Sequence, residues 1–270
     1  MVVQHNMQAV NTNRMLGQNV KAVAKNTEKL ASGYKVNRAG DDAAGLSISE
    51  KMRNQIRGLN QAVKNSEEGI SLIQTAEGNM NEIHSILQRM GELAVKARND
   101  VNATEDRQTI QDEITQLKEE ITSITNKAEF NGTKLLDGNL SGKLLQVGAN
   151  VGETMSISIS GTSLSTLGLT TTSVGTGGAA SAAISAIQGA IKAVSAQRSK
   201  LGAVQNRLEY TINNLENYSE NLTSAESGIR DTDMAEEMVS YSKNNILQQA
   251  AQSMLAQANQ SNQGVLSLLQ

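Results

Sequence analysis

IQGAIKAVSAQRSKLGAVQNRLEYTINNLENYSENLTSAESGI, residues 187–229, is the stretch that decides the fold. Within it Ile187, Val194, Leu201, Leu208, Leu215, Leu222 and Ile229 recur at intervals of seven without a miss. An apolar residue every seventh position is the seam of a helix lying along other helices. The companion seam is weaker: Ile184, Ile191 and Ile212 fit it, while Arg198 and Gln205 interrupt it. A helix so marked needs partners of comparable length, and the rest of the chain supplies them.

Toward the N-terminus, a helical pattern runs from about residue 42 to Ala97. Its stripe is Met52, Ile56, Leu59, Val63, Ile70, Ile73, Ala76, Met80, Ile83, Leu87, Met90, Ala94 and Ala97. Steps of four and three alternate except at Ile73 to Ala76, a second consecutive three, and a slip of that kind changes local winding. At ~1.5 Å per residue such a helix spans on the order of 80 Å. Asn99 to Asn102 form a turn, and a third helix starts near Thr104 with the seam Ile110, Ile114, Leu117, Ile121 and Ile124. Around Phe130 the character changes. Gly and Asn punctuate short runs, and Leu144 to Val147 and Thr154 to Ser160 read as the strands of a small hairpin. Residues 161–178, rich in Ser, Thr and Gly, read as a surface loop.

The two chain ends are proline-free helix formers as well. One carries Leu16, Val20, Val23, Thr27, Leu30 and Tyr34; the other carries Leu247, Ala251, Met254, Ala258, Val265 and Leu268. SGYKVNRAGDD (32–42) breaks the first from the long helix, with Asp41 or Asp42 available to cap the start of that long helix. Each end stripe contains small residues that bury little area. Pairing them gives a thin seam that does not offset the entropy of ordering two helices. The expectation is therefore an antiparallel helical bundle, mainly α and elongated, with a small β region at mid-chain. Its terminal helices should pair as a coiled coil on assembly, be largely disordered in a free monomer and order against other copies.

Composition agrees with an aliphatic helical core. The chain of 270 residues has no Pro, Cys or Trp, one Phe and four Tyr, so aromatics contribute little and the commonest helix breaker is absent. Without Cys there are no disulfides or thiolate metal sites. A formal charge of −3 with interspersed signs does not mark a nucleic-acid binder. No apolar run of membrane-spanning length is expected, and MVVQHNMQAV lacks the layout of a secretory signal peptide. The two histidines, His5 and His84, stand far apart, and EIHSI is not a H-E-x-x-H zinc motif. Asp41 and Asp42 read as caps, and Glu119 and Glu120 as a solvated face. No catalytic constellation, cofactor site or metal site emerges, so the expectation is a structural protein and not an enzyme. Asn102, Asn131, Asn139, Asn217 and Asn221 head Asn-x-Ser/Thr sequons.

Several long motifs resemble bacterial flagellins. KLASGYKVNRAGDDAAGLSISEKMRNQIRGL (29–59), NSEEGISLIQTAEGNMNEI (65–83) and LQRMGELAV (87–95) are similar to the family's N-terminal region. LGAVQNRLEYTINNL (201–215), NLTSAESGIRDTD (221–233), ILQQAAQSMLAQANQ (246–260) and VLSLLQ (265–270) are similar to its C-terminal region. The resemblance covers nearly the whole chain outside roughly 160–182, in order and spacing.

That resemblance implies a subunit of the flagellar filament, exported through the flagellar secretion channel without a signal peptide to an extracellular flagellum. Residues 1–41 and 231–270 would form the inner tube, and 42–230 a surrounding helical rod with its β region at about 130–160. Residues 161–178 would replace the large outer domains of longer members. Leu16, Val20, Val23, Leu30, Leu247, Met254, Val265 and Leu268 would carry self-assembly. Partners would be other copies, an export chaperone on the C-terminal helix, and the filament-cap and hook-junction proteins, with no nucleic acid or membrane. The resemblance also implies recognition by an innate immune receptor of the Toll-like class through Gln88, Arg89, Leu93 and Glu113. Gly91 and Leu117 depart from that pattern: strongly stimulatory members often carry Arg at the first, and the second is another position that can be Arg. Glycans of the family would fall on Thr162 to Thr176. A hook–filament junction protein and a secreted helical host-binding protein are the alternatives.

Overall fold

In a computed structural model, residues 6–267 are described, with side chains described through Ser261. Among the described residues there are five helices: α1 (Met7–Ser32), α2 (Ala43–Arg98), α3 (Thr104–Lys127), α4 (Gly177–Arg230) and α5 (Met234–Ser267). Between α3 and α4 lie four short strands, β1 (Glu129–Phe130), β2 (Thr133–Lys134), β3 (Lys143–Gln146) and β4 (Thr154–Ile157). These pair as two antiparallel hairpins, β1 with β2 and β3 with β4. The chain divides into two compact units, residues 55–219 and residues 1–54 with 220–270; the division falls inside α2 and α4.

The unit of residues 55–219 holds an aliphatic core of α2, α3 and α4, closed by the segment between α3 and α4. Hydrogen bonds and ion pairs set an antiparallel arrangement: Asn60 with Ser219 and Glu77 with Arg198 join α2 to α4, and Arg89 with Glu113 joins α2 to α3. The heptads of α4 are buried as far as Ile187, Val194, Leu201, Leu208 and Leu215, joined by Ala180, Ala183, Ala190 and Gln197. Gln197 enters this seam because its Nε2 donates to the Ser158 carbonyl at 3.1 Å.

The expected slip in α2 is absent. Its buried face reads Leu59, Ala62, Ser66, Gly69, Ile73, Ala76, Met80, Ile83, Leu87, Met90, Ala94 and Ala97, alternating three and four throughout. Val63 and Ile70 are only half-buried. Ser66 and Gly69 take core positions because hairpin β3–β4 lies against this stretch. A methyl group on Gly69 would come within 2.6 Å of Leu145 Cδ2, and one on Gly58 within 2.9 Å of Ala149 Cβ. Asn65 Nδ2 donates to the Gln146 carbonyl at 3.1 Å, and Ser66 returns its hydroxyl to the Ala62 carbonyl.

Two further features differ from expectation. Residues 161–178 are not simply a surface loop: Leu167, Leu169 and Val174 are buried in the core. Lys118 Nζ donates to the Thr172 carbonyl, and Gln111 Oε1 accepts from Val174 N–H at 2.7 Å. Also, an 18-residue window of α4 reaches a mean hydropathy of 1.2, the apolarity of a membrane span. Its alanines raise mean hydropathy while contributing little area, and Ala180, Ala183, Ile187, Ala190 and Val194 of this region face the protein core.

In the other unit, α1 and α5 pack together antiparallel. Asn6 Nδ2 donates to the Ala258 carbonyl at 3.0 Å near one end, and Lys29 meets Glu237 at 3.3 Å near the other. α1 ends on Gly33, whose φ of +75° suits glycine and whose N–H caps the Lys29 carbonyl. α2 starts as its sequence indicates, with Asp42 Oδ1 accepting from Gly45 N–H at 2.8 Å.

Candidate assembly surface

The links α1–α2 and α4–α5 meet in a small bridge. Lys35 N–H donates to the Arg230 carbonyl at 2.7 Å, and Thr232 N–H to the Gly33 carbonyl at 3.0 Å. The Arg230 guanidinium stacks 4.7 Å over the Tyr34 ring and reaches Glu50 at 3.2 Å. Asp41 accepts from the Asn37 and Arg38 N–H groups and binds Lys25 at 2.8 Å. The Lys25 ammonium is the main reason that this carboxyl titrates below its usual value, with the Arg38 N–H next. A folded carboxyl that ionises below its unfolded value of about 3.9 contributes fully above that pH; the contribution is lost as pH falls through the folded value. The Asn37 and Arg38 amide resonances should therefore titrate together with a midpoint below about pH 3.9. In Asp41→Asn they should not titrate in that range.

α1 and α5 each present two faces. The faces turned to one another are thin and partly polar. From α1 they include Ala9, Thr12, Leu16, Asn19, Val23, Asn26 and Leu30; from α5, Ser240, Asn244, Gln248, Ala251, Leu255 and Ala258. Several large apolar side chains stand outside. Val10 is 62 %, Val239 70 %, Ile246 66 % and Met254 62 % exposed, and Val20 and Leu247 are exposed too. The expected stripe thus mixes two surfaces: Leu16, Val23 and Leu30 line the internal seam, while Val20, Leu247 and Met254 point away from it. The Val265 side chain, Leu268 and His5 lie outside the described residues.

On the other unit, Arg89 Nε and NH2 both donate to Glu113 Oε1, at 3.0 and 2.9 Å, and NH1 reaches Glu92 at 3.2 Å. These bonds, Glu113 first, hold the Arg89 proton more tightly than usual. Gln88 is exposed and lies 3.2 Å from the half-buried His84 ring. Leu93, by contrast, is 3 % exposed and belongs to the core, so it offers no surface to a partner. Gly91 is not forced by space, since a methyl there would meet Ile187 at 3.7 Å, an ordinary contact. Among Thr162 to Thr176, Thr162 and Thr172 are buried, leaving Thr166, Thr170, Thr171 and Thr176 exposed.

Paired chain ends with unburied apolar faces define a class of helical subunit that presents surface for further packing. The sequence matches the bacterial flagellin N-terminal helical region over residues 3–141 and the bacterial flagellin C-terminal helical region over residues 184–269. It is 54 % identical to a flagellin of Halalkalibacterium halodurans and 50 % identical to one of Bacillus subtilis, covering all of each chain. It is 46 % identical to the flagellar filament 31.3 kDa core protein of Treponema maltophilum, again over both full lengths. Among solved structures, the crystal structure of Bacillus cereus flagellin matches with a TM-score of 0.52 at 30 % identity, over 56 % of this chain and 88 % of that one. A putative flagellar hook-associated protein from Vibrio parahaemolyticus shares the fold, with a TM-score of 0.60 at 13 % identity over 71 % of this chain and all of that one. The chain belongs to the flagellin family, as a short form without a large outer domain.

Proposed function

We propose that the chain is the structural subunit of a bacterial flagellar filament and builds a helical tube by self-assembly, with no catalytic step. The observation that carries this reading is the set of apolar residues left in water on α1 and α5, in a chain aligned end to end with filament proteins. Residues 1–41 and 231–270 would form the inner tube and 42–230 the surrounding layer. The exposed residues Val20, Leu247 and Met254 would meet neighbouring copies, with Leu16, Val23 and Leu30 supporting them from the seam. The C-terminal helix, with Ile246 and Leu247 open, also suits an export chaperone that covers this face before secretion. Filament-cap and hook-junction proteins would contact the same ends in the extracellular flagellum.

Purified chain added to filament fragments tests the reading. Elongation into long uniform tubes is expected. Failure to elongate under conditions where a known filament subunit grows would favour a junction protein or a secreted host-binding protein instead.

Recognition by a Toll-like innate receptor would use the open surface of Gln88, Arg89 and Glu113. The Arg89 side chain is 53 % exposed and that of Glu113 44 %, so their pair contributes little to folding. Arg89→Ala should leave the thermal midpoint nearly unmoved while weakening receptor binding roughly tenfold or more, the scale of an interfacial arginine anchor. An unaltered dissociation constant would remove Arg89 from the contact.

A further inference from the structure

The α1–α5 seam holds one side chain that nothing among the described residues completes. Asn26 is the single buried residue of α1, 8 % exposed, and its Nδ2 has no hydrogen-bond partner. The register set by Asn6–Ala258 and Lys29–Glu237 brings Asn26 level with the Glu237–Tyr241 turn of α5. That turn carries half-buried Glu237, Ser240 and Tyr241, and none of them accepts from the amide. Most buried polar groups are satisfied, so a buried donor without an acceptor needs a physical account. Asparagine in a helix seam has one well-attested effect: it weakens the pair and selects the arrangement in which its amide is answered.

On one side the neighbours of Asn26 along the helix surface are Ala22, four residues before it, and Lys29, three after it; Val23 and Leu30 of the seam flank it on the other. Ala22 contributes only a methyl group, so a second chain can come close to Asn26 from this side. Ala22 and Lys29 are half-buried, and one heptad before Ala22 on the same line Met15 is 45 % exposed. The partner chemistry is a backbone carbonyl or carboxamide oxygen carried on another helix. In a self-assembling subunit that helix comes from a second copy.

We propose that Asn26 is a specificity-determining residue for assembly: its unpaired amide weakens the lone α1–α5 pair and is completed by an acceptor from a neighbouring copy. The inference rests on the filament reading and goes beyond it, because it assigns opposite effects of one residue to the two states. A merely awkward core residue would weaken both states alike.

Full-length Asn26→Leu and Asn26→Ser separate these cases. Leucine removes the donor and fills the seam; serine keeps a donor. In the monomer, Asn26→Leu should raise amide-exchange protection of residues 16–30 by about tenfold. In the polymer it should slow elongation of wild-type seeds by about tenfold and lower the temperature at which filaments dissociate. Asn26→Ser should elongate within about threefold of wild type. If Asn26→Leu stabilises monomer and filament together, or changes neither, the assignment is overturned. If wild-type chain itself fails to elongate seeds, the filament reading falls and takes the proposal with it; wild-type growth with an indifferent Asn26→Leu overturns the proposal alone.

Discussion

Met254→Asp should abolish elongation of filament seeds while leaving the helix content and melting of the lone chain almost unchanged. Met254 is 62 % exposed, so a carboxylate there stays in water in the monomer. Helical spacing sets Met254 beside Leu247, Ala250, Ile246 and Val239, a flank of α5 turned away from Ala251, Leu255 and Ala258 in the α1 seam. Burying an unpaired charge against a neighbouring subunit costs several kcal/mol even after relaxation. About 4 kcal/mol per added subunit raises the critical concentration about a thousandfold, which removes polymer at ordinary protein concentrations. Gln249→Asp, exposed and on a different side of α5, is the matched control and should elongate normally. Growth of Met254→Asp at the wild-type rate would mean that this flank remains in water in the polymer. The assembly surface would then have to be sought elsewhere.

The helices that pack on an extensive core are legible in the sequence because their periodicity reports one face. Ile187 to Leu215 and Ile73 to Ala97 show their burial for that reason, and Asp42 shows its capping role because that chemistry is local. The regular seam of α2 is hidden at Ser66 and Gly69, which carry no apolar signal. Their place in the core depends on a hairpin contributed from eighty residues further along, Leu145 and Gln146. Residues 161–178 mislead for a similar reason. Leu167, Leu169 and Val174 sit among turn formers with no period, and the half-buried Gln111 and Lys118 of α3 hold the segment down. The β1–β2 hairpin is absent from the expectation although Asn131-Gly132 is its signature: φ values of +49° and +74° are the two left-handed positions of a tight two-residue turn. At the chain ends the difficulty is different. α1 and α5 are apolar on more than one side, so spacing alone does not decide whether Val20 or Leu16 faces the partner helix. Asn26 has no sequence signature, because burial of a polar residue depends on what packs over it.

Leu87→Ala is the second change with a large expected effect, on stability and not on assembly. Leu87 is fully buried on α2 in a core that includes Ile83, Met90, Ile114 and Ile187. Removing its isobutyl group leaves a cavity between helices, and such losses fall at about 2–5 kcal/mol according to how far the site can collapse. Here the neighbours pull in opposite directions. The branched Ile83, Ile114 and Ile187 are stiff and keep the void open, whereas Met90 is flexible enough to fill part of it. About 3 kcal/mol is the expected loss for the unit of residues 55–219, a fall of roughly 6–12 °C in melting temperature for a domain of this size. Leu144→Ala is the contrast, since Leu144 is 70 % exposed and should move the midpoint by less than about 2 °C. Temperature separates this effect from that of the α5 charge. Leu87→Ala should elongate seeds at about 20 °C at the wild-type rate and fail only as the core melts, whereas Met254→Asp should fail at every temperature. If Leu87→Ala melted with the wild type, the long α2 seam would not be what holds this unit together. If it failed to elongate while fully folded, core packing and assembly would be coupled through helices α2 and α4, which run through both units.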